Sequence, residues 1–151
     1  MNRKDSLVDH QQPPTRVLVI DDDPVSRAAM QHILSTHADM DVVTAASADR
    51  ALELVATTTF DVVVSDVQMP GTTGLELLAK LDTAAPGLPV VLVTGEPSAD
   101  NRLEVLRSRA AAFTFKPVRP DKLVASVTQA LHPPAVVEPP ASAPRRRLFR
   151  R

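Results

Sequence analysis

Four short apolar runs, each ending in a polar residue, constrain this chain more than anything else in it. Val17-Leu18-Val19-Ile20 runs into Asp21-Asp22-Asp23, Val62-Val63-Val64-Ser65 into Asp66, Val90-Val91-Leu92-Val93 into Thr94, and Phe113-Thr114-Phe115 into Lys116. Such runs, with helix-patterned segments between them, predict buried parallel strands. Residues just past the carboxyl ends of these strands meet in one crevice. An acidic cluster, a lone Asp, a hydroxyl and an amine therefore gather at one rim. That rim suits a cation together with an anionic group carried on a carboxylate.

From Arg16 the pattern is strand then helix, five times over. The first helix opens with Asp23 as N-cap and Pro24 at the first helical position, and Val25, Ala28, Ala29 and Ile33 form its apolar face. Strand two is short, Val42 to Ala45, and Ser47 caps a helix carrying Leu52 and Val55. Gly71 and Gly74 bracket a turn, and the next helix sets Leu75, Leu78 and Leu81 on one face before Pro86-Gly87 stops it. Ser98 caps a charged fourth helix with Arg102, Glu104, Arg107 and Arg109, its Leu103 and Leu106 turned inward. The last helix runs from Pro120 to Leu131 and buries Leu123, Val127 and Leu131. Repeated strand-helix units with right-handed crossovers give an α/β, doubly wound parallel sheet with helices on both faces.

The expected organisation is a disordered lead at 1–15, one folded domain at 16–132, and a disordered Pro/Arg-rich tail at 133–151. The tail holds five Arg and one Glu, a balance of +4, which leaves −5 on the rest against the overall −1. The body has no basic patch suited to nucleic acid. With no cysteine in the chain, disulfides, thiolate metal sites and cysteine nucleophiles are excluded, and a reducing cytoplasm is the comfortable location. The start has no apolar signal segment, and no window approaches the roughly 20 apolar residues of a membrane span.

Asp21, Asp22 and Asp66 would stand within several ångströms of one another. Two like charges at about 4 Å repel by roughly 4 kcal/mol at an effective dielectric near 20, a cost the fold itself does not require. A hard divalent cation removes it, and Mg²⁺ is the obvious candidate because it accepts a few carboxylates and keeps other positions for a phosphate. Without metal, the repulsion raises at least one carboxyl pKa. Asp66 stands at the entrance to the DVQMPGTTG loop and is therefore expected to be exposed, and a carboxylate so placed can act as a nucleophile toward phosphorus. Lys116 and Thr94 would serve the equatorial oxygens, and Gly95 would leave the approach open.

This constellation resembles the response-regulator receiver domain, the CheY-like family, over residues 16–131. The acidic pair after strand one, the Ser65–Gly74 block S-D-x-x-M-P-G-x-x-G, the strand-four Thr-Gly and the Lys-Pro dipeptide occur in the right order and spacing. The resemblance implies a five-stranded, flavodoxin-like sheet of order 2-1-3-4-5. It implies Asp66 as phosphoacceptor, Asp22 and Asp66 as Mg²⁺ ligands, Asp21 holding the ion through water, and Gln68 offering its backbone carbonyl. Thr94 and Lys116 would bind phosphoryl oxygens, Phe113 matches the switch aromatic, and Lys116-Pro117 matches a bond that is cis in the family. Thr73 stands where that loop often has Asp, and Arg109 where a Gly commonly precedes strand five. Gln68 and Glu96 match positions that tune phosphoryl lifetime in the family.

The function implied is a stand-alone switch rather than a conventional enzyme. A sensor histidine kinase or phosphotransfer protein would phosphorylate Asp66 in a cytoplasmic two-component system. Partner binding would change through the face of helix four, strand five and helix five, by docking to a downstream protein, homodimerisation, phosphate relay or the tail. Alternatives remain. Asp21-Asp22-Asp23-Pro24-Val25 fits the D-x-D-x-[TV] pattern of a haloacid-dehalogenase-like phosphatase with Asp21 as nucleophile. The Arg-rich tail could make an adaptor for nucleic acid or an anionic membrane, with the folded domain as scaffold. Phe113 also reads as an ordinary core aromatic.

Overall fold

Parallel pairing places the five apolar runs side by side. The structure, a computed structural model, describes residues 13–95 and 108–133. The strands are β1 (Arg16–Ile20), β2 (Asp41–Ala45), β3 (Val62–Asp66), β4 (Val90–Thr94) and β5 (Ala112–Phe115). The helices among the described residues are α1 (Pro24–His37), α2 (Ala48–Thr57), α3 (Gly74–Ala84) and α4 (Pro120–Leu131). The predicted fourth helix from Ser98 with Arg102, Leu103, Glu104, Leu106 and Arg107, together with Glu96, lies outside the described residues. So do nearly all of the lead and of the tail.

The strands form one all-parallel sheet in the order β2-β1-β3-β4-β5. From β1 the chain first winds outward to β2, then returns across β1 to β3. The crossovers reverse direction there, and the carboxyl ends of β1 and β3 part to leave a crevice. Asp21 follows β1, Asp66 ends β3 and Thr94 ends β4. The strand pairing alone therefore delivers the polar residues to one rim.

Alternation across each strand divides the core in two. Val17, Val19, Val62, Val64, Val91 and Val93 pack with Met30, Ile33 and Leu34 of α1 and Leu123, Val127 and Ala130 of α4. Leu18, Ile20, Val63, Val90 and Leu92 pack with Ala48 and Ala51 of α2 and Leu77 and Leu81 of α3. Each fully buried Val or Leu side chain contributes about 1.5–3 kcal/mol.

The helix faces differ in part from the sequence expectation. On α1, Ile33 is buried as predicted, but Val25 is 76% exposed, Ala28 and Ala29 face solvent, and Met30, Ile33 and Leu34 make the contact. Both stripes have helical spacing; the larger area of Met and Leu decides between them. On α3 the fully buried positions are Gly74, Leu77 and Leu81, with Leu75 and Leu78 partly covered. Ala130 rather than Leu131 is buried at the end of α4.

The caps follow the sequence closely. Asp23 accepts from the Val25 N–H with Pro24 behind it, and Ser47 accepts from Arg50 N–H. Thr73 makes a reciprocal capping box with Glu76, so the hydroxyl at this loop position has a structural task of its own. Arg109 avoids the left-handed backbone region that a glycine would favour, and its guanidinium pairs with Asp82 of α3 at 2.9 Å. Both groups are exposed, and the pair adds little stability.

Two glycines in the loop after β3 have different reasons. Gly71 has φ of +78° and open space around it. Gly74 starts α3 against the end of β3, where a Cβ would land on the Asp66 carbonyl oxygen and within 2.8 Å of Val67 Cα. Gly74→Ala should therefore cost roughly 1–3 kcal/mol, while Gly71→Ala should cost about 1 kcal/mol. Urea midpoints would show the larger drop for Gly74; the reverse order would refute this packing argument.

Candidate functional site

The crevice gathers the predicted residues. Carboxylate oxygens of Asp21, Asp22 and Asp66 lie within 4.8 Å of one another. Asp21 is 0% exposed, with Oδ1 accepting the Asp23 N–H at 2.9 Å and Oδ2 accepting Lys116 Nζ at 3.2 Å. Lys116 also donates to Asp66 Oδ2 at 3.3 Å, and the Gln68 N–H donates to Asp66 Oδ1 at 3.2 Å. Asp22 is exposed and makes no hydrogen bond or ion pair with a described residue. It is thus the carboxylate most available to a ligand.

Asp66 is 5% exposed rather than open to solvent. The following loop folds back on the strand end: Val67 and Met69 are buried, and the Gly74 N–H bonds the Val67 carbonyl at 2.8 Å. Gly74 can lie close over the Asp66 backbone only because it lacks a side chain. Thr94 is buried at the end of β4, and its carbonyl accepts the Lys116 N–H at 2.8 Å. Gly95 also acts differently from expectation. A Cβ there would stand 3.3 Å from Lys116 Cδ, so the glycine seats the Lys116 stem that carries the ammonium to both carboxylates.

Phe113 is 37% exposed and meets the likewise exposed Phe115 edge-to-face, with ring centroids 6.1 Å apart. The ordinary-core reading of Phe113 is thereby removed: β5 is an edge strand, and this face of it is open. Lys116-Pro117 is cis, as the resemblance implies. Asp21 is a poor phosphatase nucleophile, since it is enclosed and both of its oxygens are engaged. One residue near the site had gone unnoticed in the sequence: Arg27 on α1 donates through Nη1 to the Asp21 carbonyl at 2.7 Å. A cation one turn into a helix opposes the helix dipole, and that was the available signal.

The three carboxylates form an all-oxygen donor set, the chemistry a hard divalent cation requires. The residues present fit Mg²⁺ better than any softer metal. Burial pushes the Asp66 carboxyl above its ordinary 3.8, and the Asp21 charge adds to this. The Lys116 ammonium and the Gln68 N–H pull the other way without cancelling it. Burial alone would lower Lys116, but Asp66 and then Asp21 outweigh it and hold the ammonium above its ordinary 10.5. Lys116 thus contributes stability that persists below 10.5 and is lost only as pH rises past its raised value.

The opposite sign holds for Asp66. Its proton is held more tightly in the folded than in the unfolded chain, so its ionisation lowers stability as pH rises from 3.8 through the raised value. Metal-free Asp66→Asn keeps the shape and removes the charge. It should melt at a higher temperature than the unsubstituted chain at pH 7, with the gain shrinking as pH falls toward 3.8. A lower melting temperature at pH 7 would mean that the Lys116 ion pair outweighs the burial cost.

Comparison with known proteins agrees with this geometry. The family model described as response regulator receiver domain matches residues 17–128. The C4-dicarboxylate transport transcriptional regulatory protein DctD of Pseudomonas aeruginosa is 39% identical over 120 residues, 78% of this chain and 25% of that protein. The chain spans about a quarter of the length of the first curated relatives it matches. A CheY-like receiver domain protein from Methanospirillum hungatei superposes with a TM-score of 0.72 at 30% identity, covering 79% of this chain and 94% of the other. Chemotaxis protein CheY4 of Vibrio cholerae gives a TM-score of 0.72 at 30% identity, covering 79% and 100%. No helix among the described residues is long and apolar enough to cross a membrane. The chain belongs to the response regulator receiver family, the phosphorylation-activated signalling switches of two-component systems.

Proposed function

We propose that Asp66 is the phosphoacceptor of this switch and that a phosphohistidine on a sensor kinase or phosphotransfer protein is its donor. The observation that carries this reading is the Lys116 ammonium bridging Asp21 and Asp66, with three carboxylates within 4.8 Å of one another. An Asp66 carboxylate oxygen forms the new O–P bond as the donor's P–N bond breaks, and the imidazole nitrogen keeps the electron pair and takes a proton from solvent. Lys116 and the Thr94 hydroxyl hold oxygens of the transferred phosphoryl group, and the fixed Asp21–Lys116 contact keeps the ammonium in place for it. Asp22, Asp66 and the Gln68 backbone carbonyl would hold Mg²⁺, with Asp21 acting through water; the bound ion would supply charge neutralisation on the carboxylates and the phosphoryl oxygens.

Receiver domains generally act as switches rather than turnover enzymes, so self-catalysed phosphorylation from small donors and autodephosphorylation are the only chemistry assigned. The added charge of about −2 biases an existing equilibrium at the face of β5 and α4, together with the segment between β4 and β5. The exposed Phe113 and Phe115 on that face support a partner-binding role, with a downstream protein or a second copy as the target. A cytoplasmic setting belongs to the same reading.

Acetyl phosphate with Mg²⁺ should add one phosphoryl group to the chain in intact-mass measurements, and beryllofluoride should shift the Thr94 and Phe113 amide resonances. Neither effect should occur in Asp66→Asn. Equal responses from the two proteins would remove Asp66 from the mechanism.

A further inference from the structure

We infer that Arg27 is a positioning residue for the cation site, acting through the backbone on either side of Asp22. This rests on the metal reading of Asp21, Asp22 and Asp66 given above. Asp21 and Asp66 are each locked by hydrogen bonds to their carboxylates, whereas the Asp22 carboxylate has no such partner among the described residues. Its placement within 4.8 Å of the other two must come from its backbone.

Two peptide planes flank Asp22, and each is pinned by one hydrogen bond. The plane before it contains the Asp21 carbonyl, which accepts Arg27 Nη1 at 2.7 Å. The plane after it contains the Asp23 N–H, which donates to Asp21 Oδ1 at 2.9 Å. Arg27 also donates its backbone N–H to the Asp23 carbonyl at 2.9 Å. One residue of α1 therefore grips the turn on both sides of Asp22. With both planes fixed, the Asp22 side chain keeps only its own two torsions to search, and its carboxylate stays near the others. Losing the guanidinium frees the first plane.

The sign of the effect separates this role from a simple charge effect. Arg27 is a cation next to a cation site, so through-space electrostatics makes it an opponent of metal binding. Removing its charge would tighten binding if charge were all that mattered. Positioning predicts the opposite. Groups that orient metal ligands typically change affinity by about 10–100-fold, and about tenfold weaker binding is expected for Arg27→Gln. Arg27→Lys keeps the charge and one donor but not the planar fork, and should fall between.

The experiment is a Mg²⁺ titration of the full chain followed by backbone amide shifts, at a temperature where every variant is folded, with melting temperatures in EDTA recorded alongside. Weaker binding in the order Arg27→Lys then Arg27→Gln, measured on fully folded protein, supports the inference. Equal or tighter binding by Arg27→Gln overturns it, even though the unsubstituted chain binds. No binding by the unsubstituted chain overturns the metal reading and this inference with it. If Arg27→Gln fails to fold, Arg27→Lys decides alone: weaker binding at unchanged charge supports positioning, and unchanged binding refutes it.

Discussion

Everything at the carboxyl rim of this sheet depends on three carboxylates being brought within 4.8 Å of one another, with one ammonium bridging two of them. Strand order brings them there, and the hydrogen bonds to Asp21 and Asp66 hold two of the three in place. Lys116 relieves part of the repulsion by bridging Asp21 and Asp66. Burial first, and the Asp21 charge after it, still hold the Asp66 carboxyl above its ordinary value despite Lys116. A folded chain that keeps such a residue buried retains a local instability, and this is the kind of imbalance that a cation or a transferred group removes.

The crowding is held by backbone geometry more than by the charged groups themselves. Gly74 lets α3 start against the Asp66 carbonyl. Gly95 leaves room for the Lys116 stem to cross the end of β4. Asp23 caps α1 while its N–H fixes Asp21. Each of these contacts brings a helix or a loop close to a strand end, and each needs a small residue or a short polar one at that point. The chemistry of the rim is thus supported by residues that carry no chemistry.

The sheet was legible in the sequence because its runs are short, β-branched and bounded, and nothing else in the chain competes with them for the core. Asp21, Asp22, Asp66, Thr94 and Lys116 were legible for the same reason: position after a strand is enough to locate them. The faces of α1 and α3 were harder. Ala28 and Ala29 sit at apolar spacing but carry little area, so Met30 and Leu34 set the rotation of α1. The burial of Asp66 depends on a loop folding back over it, which no local pattern encodes. Phe113 was ambiguous because an aromatic on a four-residue edge strand suits either face until the neighbouring layers are known. Arg27 was missed because its partner is a backbone carbonyl, which residue type does not name; only its unfavourable place in the first turn of α1 marked it.

Register then connects the rim to the open face of β5. Asp66 lies opposite Val93, next to Thr94, and Thr94 lies opposite Phe115. Phe113 lies opposite Leu92, two residues back on the same strand. Under the proposed phosphorylation, a group added to Asp66 would arrive beside the end of β4, where Val93 pairs with Asp66 and Thr94 follows. The end of β4 in turn is bonded to β5 through the Thr94 carbonyl and the Lys116 N–H. Lys116 itself belongs to both sides: its ammonium is at the carboxylates and its backbone continues directly from Phe115. A displacement of the Thr94–Lys116 pair is therefore a displacement of the strand that carries both exposed rings. β3 and β4 are buried along their whole length whereas β5 alternates buried and exposed residues, so under the proposed reading β5 is the strand that would take up such a change.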